Sequence, residues 1–310
     1  MVKAHSYLNK IANYIPGTSK IKGAEKIIKL SSNENALECS NKAIDSYKKH
    51  SHQLFRYADG SCNELRQAIA NKNNINSEQI VCGAGSDEII SLITLAFSGI
   101  GDEIIYSEHG FLMYPISANK VGANAIKAKE INLKTNIRAV LEEITEKTKI
   151  IFIANPNNPT GYLYSKEELD LLKEIVLKHD LFLFADEVYR EFVYDGKTHT
   201  SILAMPELAN HAIVVDSISK RYSACGARLG ALITKNKDVL STVLKFAQAR
   251  LSSPTYSEVA AEAALETPAS YFEAVNKEYI ARRNLLVDLL NKIEGVQCPL
   301  PGGAFYAMAQ

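Results

Sequence analysis

The sequence has no excess of charge of either sign. Its 310 residues include 35 lysines and arginines and 35 aspartates and glutamates, so the formal net charge is zero. Nucleic acids and anionic membranes are bound through a surplus of basic residues, so this composition predicts neither as a partner. The few basic clusters, such as Arg282 and Arg283, are typical of solvated helix faces.

Cysteine is scarce and forms no motif. The five cysteines are odd in number and contain no Cys-x-x-Cys pair. This pattern argues against a disulfide framework and against a zinc site, so no metal is predicted, and it fits a reducing, cytoplasmic location. Cys82 and Cys225 lie in apolar or glycine-rich surroundings and are expected to be small packing residues.

Long apolar runs are also missing. The longest, near residues 92–97, is far shorter than a membrane helix, which needs about 20 residues. The first 15 residues are interrupted by Lys3, His5 and Lys10, so no signal peptide is predicted.

Short apolar runs alternate with helical patterns, which predicts an α/β fold. A helix is expected over residues 86–97 with Ser86 as its N-cap, and Ser165 and Glu168 have the spacing of a capping box. Such alternation predicts a three-layer α/β/α domain with a mostly parallel sheet. Strands are predicted at residues 80–82, 103–106, 149–154, 181–185, 212–215 and 229–234.

Three regions are expected along the chain. Residues 41–250 would form the large domain, and a Pro/Ser break near residues 251–254 would begin a smaller α+β domain over residues 251–310. Residues 1–40 are expected to pack with the small domain.

Lys220 stands among residue types that suit a covalent cofactor. Ser217 and Ser219 precede it, and Arg228 follows in a Gly-x-Arg-x-Gly frame. A lysine amine attacks a carbonyl only when deprotonated, a form that burial or a cationic neighbour such as Arg228 favours. A lysine at a strand exit is most often merely at the surface, so the prediction depends on these neighbours.

Polar residues at other strand ends complete a set suited to an aldehyde cofactor with a phosphate and a pyridine nitrogen. Gly85, Ser86 and Asp87 open a helix, where free N–H groups favour an anion. Asp186 ends a buried strand, and a carboxylate against a pyridine nitrogen keeps that nitrogen protonated. Tyr189 is close enough to share the site. Each residue also has a purely structural alternative. Gly85, Ser86 and Asp87 can form a plain turn with a capped helix, Asp186 can be the first solvated residue after its strand, and Tyr189 can be a packing aromatic.

Two further segments are candidates for contacting such a cofactor. Residues 155–161 read Asn-Pro-Asn-Asn-Pro-Thr-Gly; these residues make turns without a function, but two prolines fix the backbone and place Asn158 to donate to a cofactor oxygen. Phe111 can stack on a planar ring or belong to the core. His109 has no evident partner and is expected either to be structural or to support a residue that contacts the cofactor.

In this order, the motifs resemble those of fold-type I aminotransferases of class I/II, which use pyridoxal 5′-phosphate. The resemblance runs from about residue 31 to residue 305. It implies that Lys220 binds the cofactor covalently and moves the proton at the substrate Cα, and that Asp186 pairs with the ring nitrogen. Asn158 and Tyr189 would bond the ring hydroxyl.

The same resemblance implies further contacts. Phe111 would stack on the ring, and Tyr57 would reach the cofactor phosphate of a neighbouring subunit, which implies a homodimer with shared sites. The implied substrate contacts are Tyr14, Asn33 and Asn158. The implied ligands around the phosphate and the lysine are Gly85, Ser86, Asp87, Ser217, Ser219 and Arg228.

Different parts of the chain resemble different subfamilies. Residues 14–17, 31–35, 56–61 and 82–161 resemble histidinol-phosphate aminotransferase, whereas the chain from Asp186 onward resembles aspartate-type enzymes. The expected function is amino transfer between a donor (histidinol phosphate, aspartate or an aromatic amino acid) and a 2-oxo acid.

Two alternatives stay open. The same fold and cofactor support decarboxylases and lyases. The family pattern also continues beyond the Gly303–Tyr306 match to an arginine that binds the substrate, whereas this sequence stops at Gln310. A fragment that binds the cofactor without turnover, with an incomplete small domain, is therefore the other expectation.

Overall fold

The computed structural model describes residues 2–12, 23 and 32–310. Tyr14, a predicted substrate contact, lies outside the described residues. The strands are β1 (Ile80–Gly83), β2 (Glu103–Ser107), β3 (Asn124–Ala128), β4 (Glu130–Ile131), β5 (Lys134–Thr135), β6 (Thr148–Ala154), β7 (Phe182–Asp186), β8 (Ala212–Ser217) and β9 (Gly230–Ile233).

The α-helices lie between these strands and after them. They are α1 (Asn41–His50), α2 (Asn63–Asn73), α3 (Ser86–Phe97), α4 (Met113–Val121), α5 (Ile137–Glu142), α6 (Lys166–His179), α7 (Ile218–Arg221), α8 (Lys237–Ala249), α9 (Thr255–Ala264) and α10 (Ala269–Leu290). None of the described helices is long and apolar enough to cross a membrane.

Seven strands form one sheet in the order β1-β9-β8-β7-β6-β2-β3, and β4 pairs with β5 in a small hairpin. Strands β8, β7, β6, β2 and β3 are parallel, whereas β9 is antiparallel to both of its neighbours. Asp186 at the end of β7 lies opposite Ala154 of β6 and Val215 of β8. The predicted α/β fold with a mostly parallel sheet is confirmed.

The central strands are apolar throughout because both faces of the sheet are covered. Successive residues of a strand point to opposite faces. Leu183 accordingly belongs to one buried cluster and its neighbour Phe184 to the other, and Ile151 and Ile150 divide in the same way. The continuous apolar runs in the sequence are therefore typical of strands between two helical layers.

Two predicted helix starts have different outcomes. The capping box before α6 is confirmed, since Ser165 Oγ accepts from the Glu168 N–H and the Glu168 side chain accepts from the Ser165 N–H. Ser86 is not the N-cap of α3, so that prediction was wrong. Gly85 takes the position with φ +83°, a value that suits glycine, and Ser86 becomes the first helical residue.

Both ends of the described chain pack onto this framework. Helix α9 packs against α1. The segment before α1 bonds to α10, because Tyr279 donates to Asn35 Oδ1 at 3.1 Å and Tyr271 donates to the Glu38 carbonyl at 3.0 Å. The division into residues 1–40, 41–250 and 251–310 stays a prediction.

Leu183→Ala should lower the free energy of unfolding by about 2–5 kcal/mol, because it leaves a cavity at the centre of β7. Leu183 has no exposed surface, whereas Leu177 on α6 is 41% exposed. Leu177→Ala is thus a matched control that should cost under about 1 kcal/mol. Urea denaturation would measure both, and equal losses would contradict the assignment of the core.

Candidate active site

The carboxyl ends of three parallel strands bring several predicted site residues to one edge of the sheet. Asp186 is the last residue of β7 and Ser217 the last of β8. Asn155 directly follows β6, and its N–H donates to the Asp186 carbonyl at 2.9 Å. Open α/β sheets bind ligands at this edge, so the topology alone places these residues at a candidate site.

Lys220 is held by a single helical turn, α7. Ser217 caps the turn, because its Oγ accepts from the Ser219 N–H at 3.1 Å, and it also donates to the Leu229 carbonyl at 2.9 Å. The Lys220 amine donates to the Asn33 carbonyl at 3.0 Å. It lies 6.0 Å from the centroids of the Tyr189 and Phe305 rings.

The surroundings of Lys220 favour its neutral amine. Burial is the main cause that lowers the pKa of Lys220, and the cation of Arg228 acts in the same direction. Cys225, Asp186 and Asp87 oppose the shift without reversing it. A lysine with a lowered pKa is a stronger nucleophile at neutral pH, which is the property predicted from its neighbours in sequence.

Asp186 is buried at the floor of the site. Its Oδ1 accepts from the Val188 N–H at 3.3 Å, and 4% of the residue is exposed. Burial raises the pKa of Asp186 to about 7; Asp87 and Asp216 add to the rise, while the Val188 N–H and Lys220 oppose it. A cationic group beside this carboxylate would favour its charged form, and a protonated ring nitrogen is such a group.

Tyr189 lies in a hydrogen-bonded cluster that joins distant parts of the chain. Its hydroxyl hydrogen-bonds the Tyr306 hydroxyl. Asn33 Nδ2 donates to the Tyr306 hydroxyl and, at 3.5 Å, to the Tyr189 hydroxyl. Asn33 and Tyr189 were predicted site residues, whereas Tyr306 was known only as part of a short C-terminal match.

Arg228 lies beside the start of α3 at Gly85, Ser86 and Asp87, a region termed the phosphate corner. Arg228 Nη2 donates to Asp87 Oδ2 at 3.1 Å, and both side chains are partly exposed. A Cβ atom on Gly85 would lie 2.7 Å from Arg228 Nη2, so the guanidinium covers the start of the helix. Helix N–H groups together with an arginine fork are suited to a phosphate, and Ser86 lies at the same helix start.

The loop after β6 and the segment before α4 carry two further predicted contacts, Asn158 and Phe111. Asn158 is half-buried, while its neighbour Asn157 is buried and donates to Ser107 Oγ at 3.1 Å. Phe111 is half-buried and meets the Tyr114 ring edge-on, with 5.8 Å between centroids.

Two predicted residues are placed apart from the cluster around Lys220. Tyr57 is 87% exposed and is not brought into that cluster. His109 had no evident partner in the sequence, and its Nδ1 lies 2.9 Å from Glu130 Oε2. The structure thus gives His109 a side-chain partner on β4.

An ion-pair network behind Lys220 was not foreseen. Arg221 Nη1 donates to Asp216 Oδ2 at 2.9 Å, and Arg190 Nη2 lies 3.1 Å from the same oxygen. Burial alone would raise the pKa of Asp216, but Arg190 and Arg221 outweigh it and the pKa is lowered. Asp216 was visible in the motif around Lys220, whereas nothing in the sequence indicated which arginines would pair with it.

A second, partly buried ion pair supports the phosphate corner. Arg250 Nε donates to Glu88 Oε1 at 2.7 Å, and Arg250 Nη2 donates to the Cys82 carbonyl at 3.0 Å. Glu88 Oε2 accepts from the Ala84 N–H at 2.6 Å. This pair fixes the loop between β1 and α3, and its partners lie 162 residues apart, which no local pattern could reveal.

Gly230→Ala should disrupt the phosphate corner. The added Cβ would lie 2.8 Å from the Gly85 carbonyl carbon and 2.9 Å from the Ser86 nitrogen, which are backbone atoms that cannot turn away. Gly226 has open space around its Cβ position, so Gly226→Ala is a matched control in the same motif. We expect a loss of about 1–3 kcal/mol of unfolding free energy for Gly230→Ala. Equal stability of the two variants would contradict the close approach.

Asp186→Asn should stabilise the cofactor-free protein in a pH-dependent way. Folding raises the pKa of Asp186 from 3.8 to about 7. The contribution of Asp186 to the free energy of unfolding is therefore fully present below pH 3.8 and is lost as the pH rises to about 7. Asparagine carries no charge, so the stability advantage of the variant should grow between pH 4 and pH 7 and then level off.

Asp195→Asn is the control of opposite sign. Its hydrogen bonds to Arg283 lower the pKa of Asp195, so its contribution is present above the ordinary pKa and is lost as pH falls. This variant should lose stability at neutral pH, and less at low pH. Urea titrations of both variants across pH would test the pair, and a pH-independent effect of Asp186→Asn would contradict the burial of its charge.

Known proteins with similar sequences are aminotransferases. The chain is 40% identical to histidinol-phosphate aminotransferase of Paramagnetospirillum magneticum over 220 residues, which are 71% of this chain and 60% of that protein. It is 39% identical to the enzyme of that name from Pelagibacter ubique over 222 residues, 71% of this chain and 61% of that protein. The chain thus spans about three-fifths of the length of these relatives.

Solved structures agree with the sequence relatives. Alanine aminotransferase from Pyrococcus furiosus has a TM-score of 0.84 at 27% identity, covering 92% of this chain and 77% of that chain. The aromatic aminotransferase of Pyrococcus horikoshii has a TM-score of 0.84 at 26% identity, covering 90% and 78%. The predicted fold class is confirmed by these similarities.

The comparison with protein families covers most of the chain. Residues 25–310 match the family described as aminotransferase class I and II, and the match includes every candidate site residue except Tyr14. The predicted family and its cofactor are confirmed. The chain belongs to the class I and II aminotransferases, a family that depends on pyridoxal 5′-phosphate.

Proposed function

We propose that this chain binds pyridoxal 5′-phosphate at the edge formed by β6, β7 and β8 and transfers amino groups. The observation that carries the proposal is the amine of Lys220, whose pKa is lowered, in one site with the buried Asp186 and the charged corner at Arg228. The aldehyde, the ring nitrogen and the phosphate of the cofactor each have a matching group.

The residues present fit that cofactor. Asp186 is buried without a full ion pair, and a protonated ring nitrogen would stabilise its charge. The Ser86 and Asp87 N–H groups at the start of α3 and the guanidinium of Arg228 suit three phosphate oxygens, with Gly85 keeping the approach open. Ser217 and Ser219 shape the turn that presents the lysine.

Each remaining side chain has a proposed role in binding or proton transfer. When bound, the cofactor supplies an electron sink that stabilises negative charge at the substrate Cα. Lys220, once released from the cofactor, would carry the proton to and from that carbon. Asn158 and Tyr189 would donate to the ring oxygen, and Phe111 would pack on the ring face.

The proposed donor is histidinol phosphate, with a 2-oxo acid as acceptor. The sequence relatives above carry that name, which supports this donor over aspartate or aromatic amino acids. Asn33, whose carbonyl accepts from Lys220, is a described residue proposed to contact it. The decarboxylase or lyase alternative is not favoured, because these relatives are all named aminotransferases.

A homodimer is part of the proposal. Leu54, Phe55 and Tyr57 are 77%, 78% and 87% exposed along one short segment, and large apolar side chains exposed together support a protein contact surface. Tyr57 would then reach the cofactor phosphate of the partner. A cytoplasmic location is likewise proposed from the unpaired cysteines, which are free in the described residues.

The purified protein mixed with the cofactor should show the visible absorbance band of a lysine-bound cofactor. Borohydride reduction followed by peptide mass mapping should place the cofactor on Lys220. Lys220→Ala should abolish both signals, whereas the exposed Lys235→Ala is the matched control and should retain them. Absence of the band in the unmodified protein would refute the proposal.

Turnover is tested by adding donors to the loaded protein. Histidinol phosphate should bleach the band, and a 2-oxo acid should restore it, with aspartate, glutamate and phenylalanine as comparison donors. Release of carbon dioxide or ammonia would identify a decarboxylase or lyase instead. A stable band that no donor bleaches would identify a cofactor-binding protein without turnover.

A further inference from the structure

We infer that Tyr306 is a positioning residue that fixes the Tyr189 hydroxyl as a hydrogen-bond donor toward the cofactor. This inference rests on the function proposed above. Tyr306 hydrogen-bonds Tyr189 and Asn33 and not Lys220, so it can act on the site only through other residues. Its consequence is electronic and can be measured spectroscopically.

The direction of the hydrogen bonds follows from the role proposed for Tyr189 as a donor to the ring oxygen. Asn33 Nδ2 can only donate, and it donates to the Tyr306 hydroxyl. A tyrosine hydroxyl has one proton, so when Tyr189 gives its proton to the ring oxygen, the bond between the two hydroxyls has to be donated by Tyr306. The chain thus runs from Asn33 through Tyr306 to Tyr189.

The acceptor positions of Tyr189 fit this direction. Its oxygen accepts from Asn33 Nδ2 at 3.5 Å and, in this direction, from Tyr306, which fills both of its acceptor positions. Only its proton remains for the site. A hydroxyl that accepts two hydrogen bonds is also a better donor, because hydrogen bonds in a chain polarise one another.

Tyr189 lies where that proton matters. The Lys220 amine is 6.0 Å from the Tyr189 ring centroid and donates to the Asn33 carbonyl, so the same asparagine contacts the lysine and both tyrosines. The Tyr189 ring is 99% out of solvent and packs edge-on against Phe305 at 5.1 Å. The ring itself therefore has little freedom, and the hydroxyl proton is what Tyr306 can direct.

A stronger donor at the cofactor ring oxygen stabilises negative charge on that oxygen. With the cofactor bound through Lys220, such an oxygen would attract the proton on the nitrogen of that linkage less strongly. Losing Tyr306 should consequently raise the pKa of that nitrogen. The other charged groups that act on Lys220, namely Asp186, Arg228, Asp87 and Cys225, are unchanged by this loss.

Spectroscopic pH titration of the loaded protein would test the inference. Tyr306→Phe should raise the pKa of the absorbance band by about half to one unit, the size expected for one hydrogen bond. Tyr189→Phe should raise it further, because it removes the donor itself. Tyr306→Phe added to Tyr189→Phe should cause no additional shift, since Tyr306 acts only through Tyr189.

Tyr279→Phe is the matched control. Tyr279 also lies near the C-terminal end and also bonds the segment before α1, donating to Asn35 Oδ1 at 3.1 Å, but it has no hydrogen bond to Tyr189 or Asn33. It should leave the pKa of the band unchanged. If Tyr306→Phe does not fold, Asn33→Ala interrupts the same chain at its start and should shift the pKa in the same direction.

The outcomes separate this inference from the proposed function. A missing band in the unmodified protein would defeat the function, and with it the inference. A normal band whose pKa is unmoved by Tyr306→Phe would overturn the inference alone. A shift that persists in full in the Tyr189→Phe background would overturn it as well, because Tyr306 would then act by another route.

Discussion

The site depends on the burial of the Asp186 carboxylate. Charged groups are costly to bury, and Asp186 is almost fully enclosed at the end of a central strand with one backbone donor for its Oδ1. The strand is held in place by parallel neighbours on both sides, so the carboxylate cannot move out to solvent. The sheet thereby keeps an unfavourable charge ready for a cationic ligand group.

Ion pairs behind the site supply the rigidity that this arrangement requires. Asp216 pairs with both Arg190 and Arg221, and Glu88 pairs with Arg250, so the turns that carry Lys220 and the phosphate corner are tied to buried or partly buried charges. Buried ion pairs contribute little net stability, but removing one partner is strongly destabilising because the other charge is left buried. The effect of these ion pairs is to hold the two turns in position.

The sequence predicts what depends on local pattern and misses what depends on distant partners. The apolar runs of β6 and β7 gave the central strands, and the serines before Lys220 gave the turn that presents it. Gly85 displaced Ser86 as the cap of α3 because of its backbone angle, which a residue pattern does not record. The Tyr189–Tyr306 hydrogen bond spans 117 residues, and no spacing rule reaches that far.

The hydrogen-bonded group of Asn33, Tyr189 and Tyr306 joins three parts of the chain at one place. Asn33 and Tyr306 are 273 residues apart in sequence, and they meet beside Lys220. Ordering both segments costs conformational entropy, which a ligand that contacts them only in the folded state offsets by mass action. Ligand binding at the site and the ordering of both segments are therefore thermodynamically coupled. A bound cofactor that accepts a hydrogen bond from Tyr189 would therefore stabilise the contacts between the two segments.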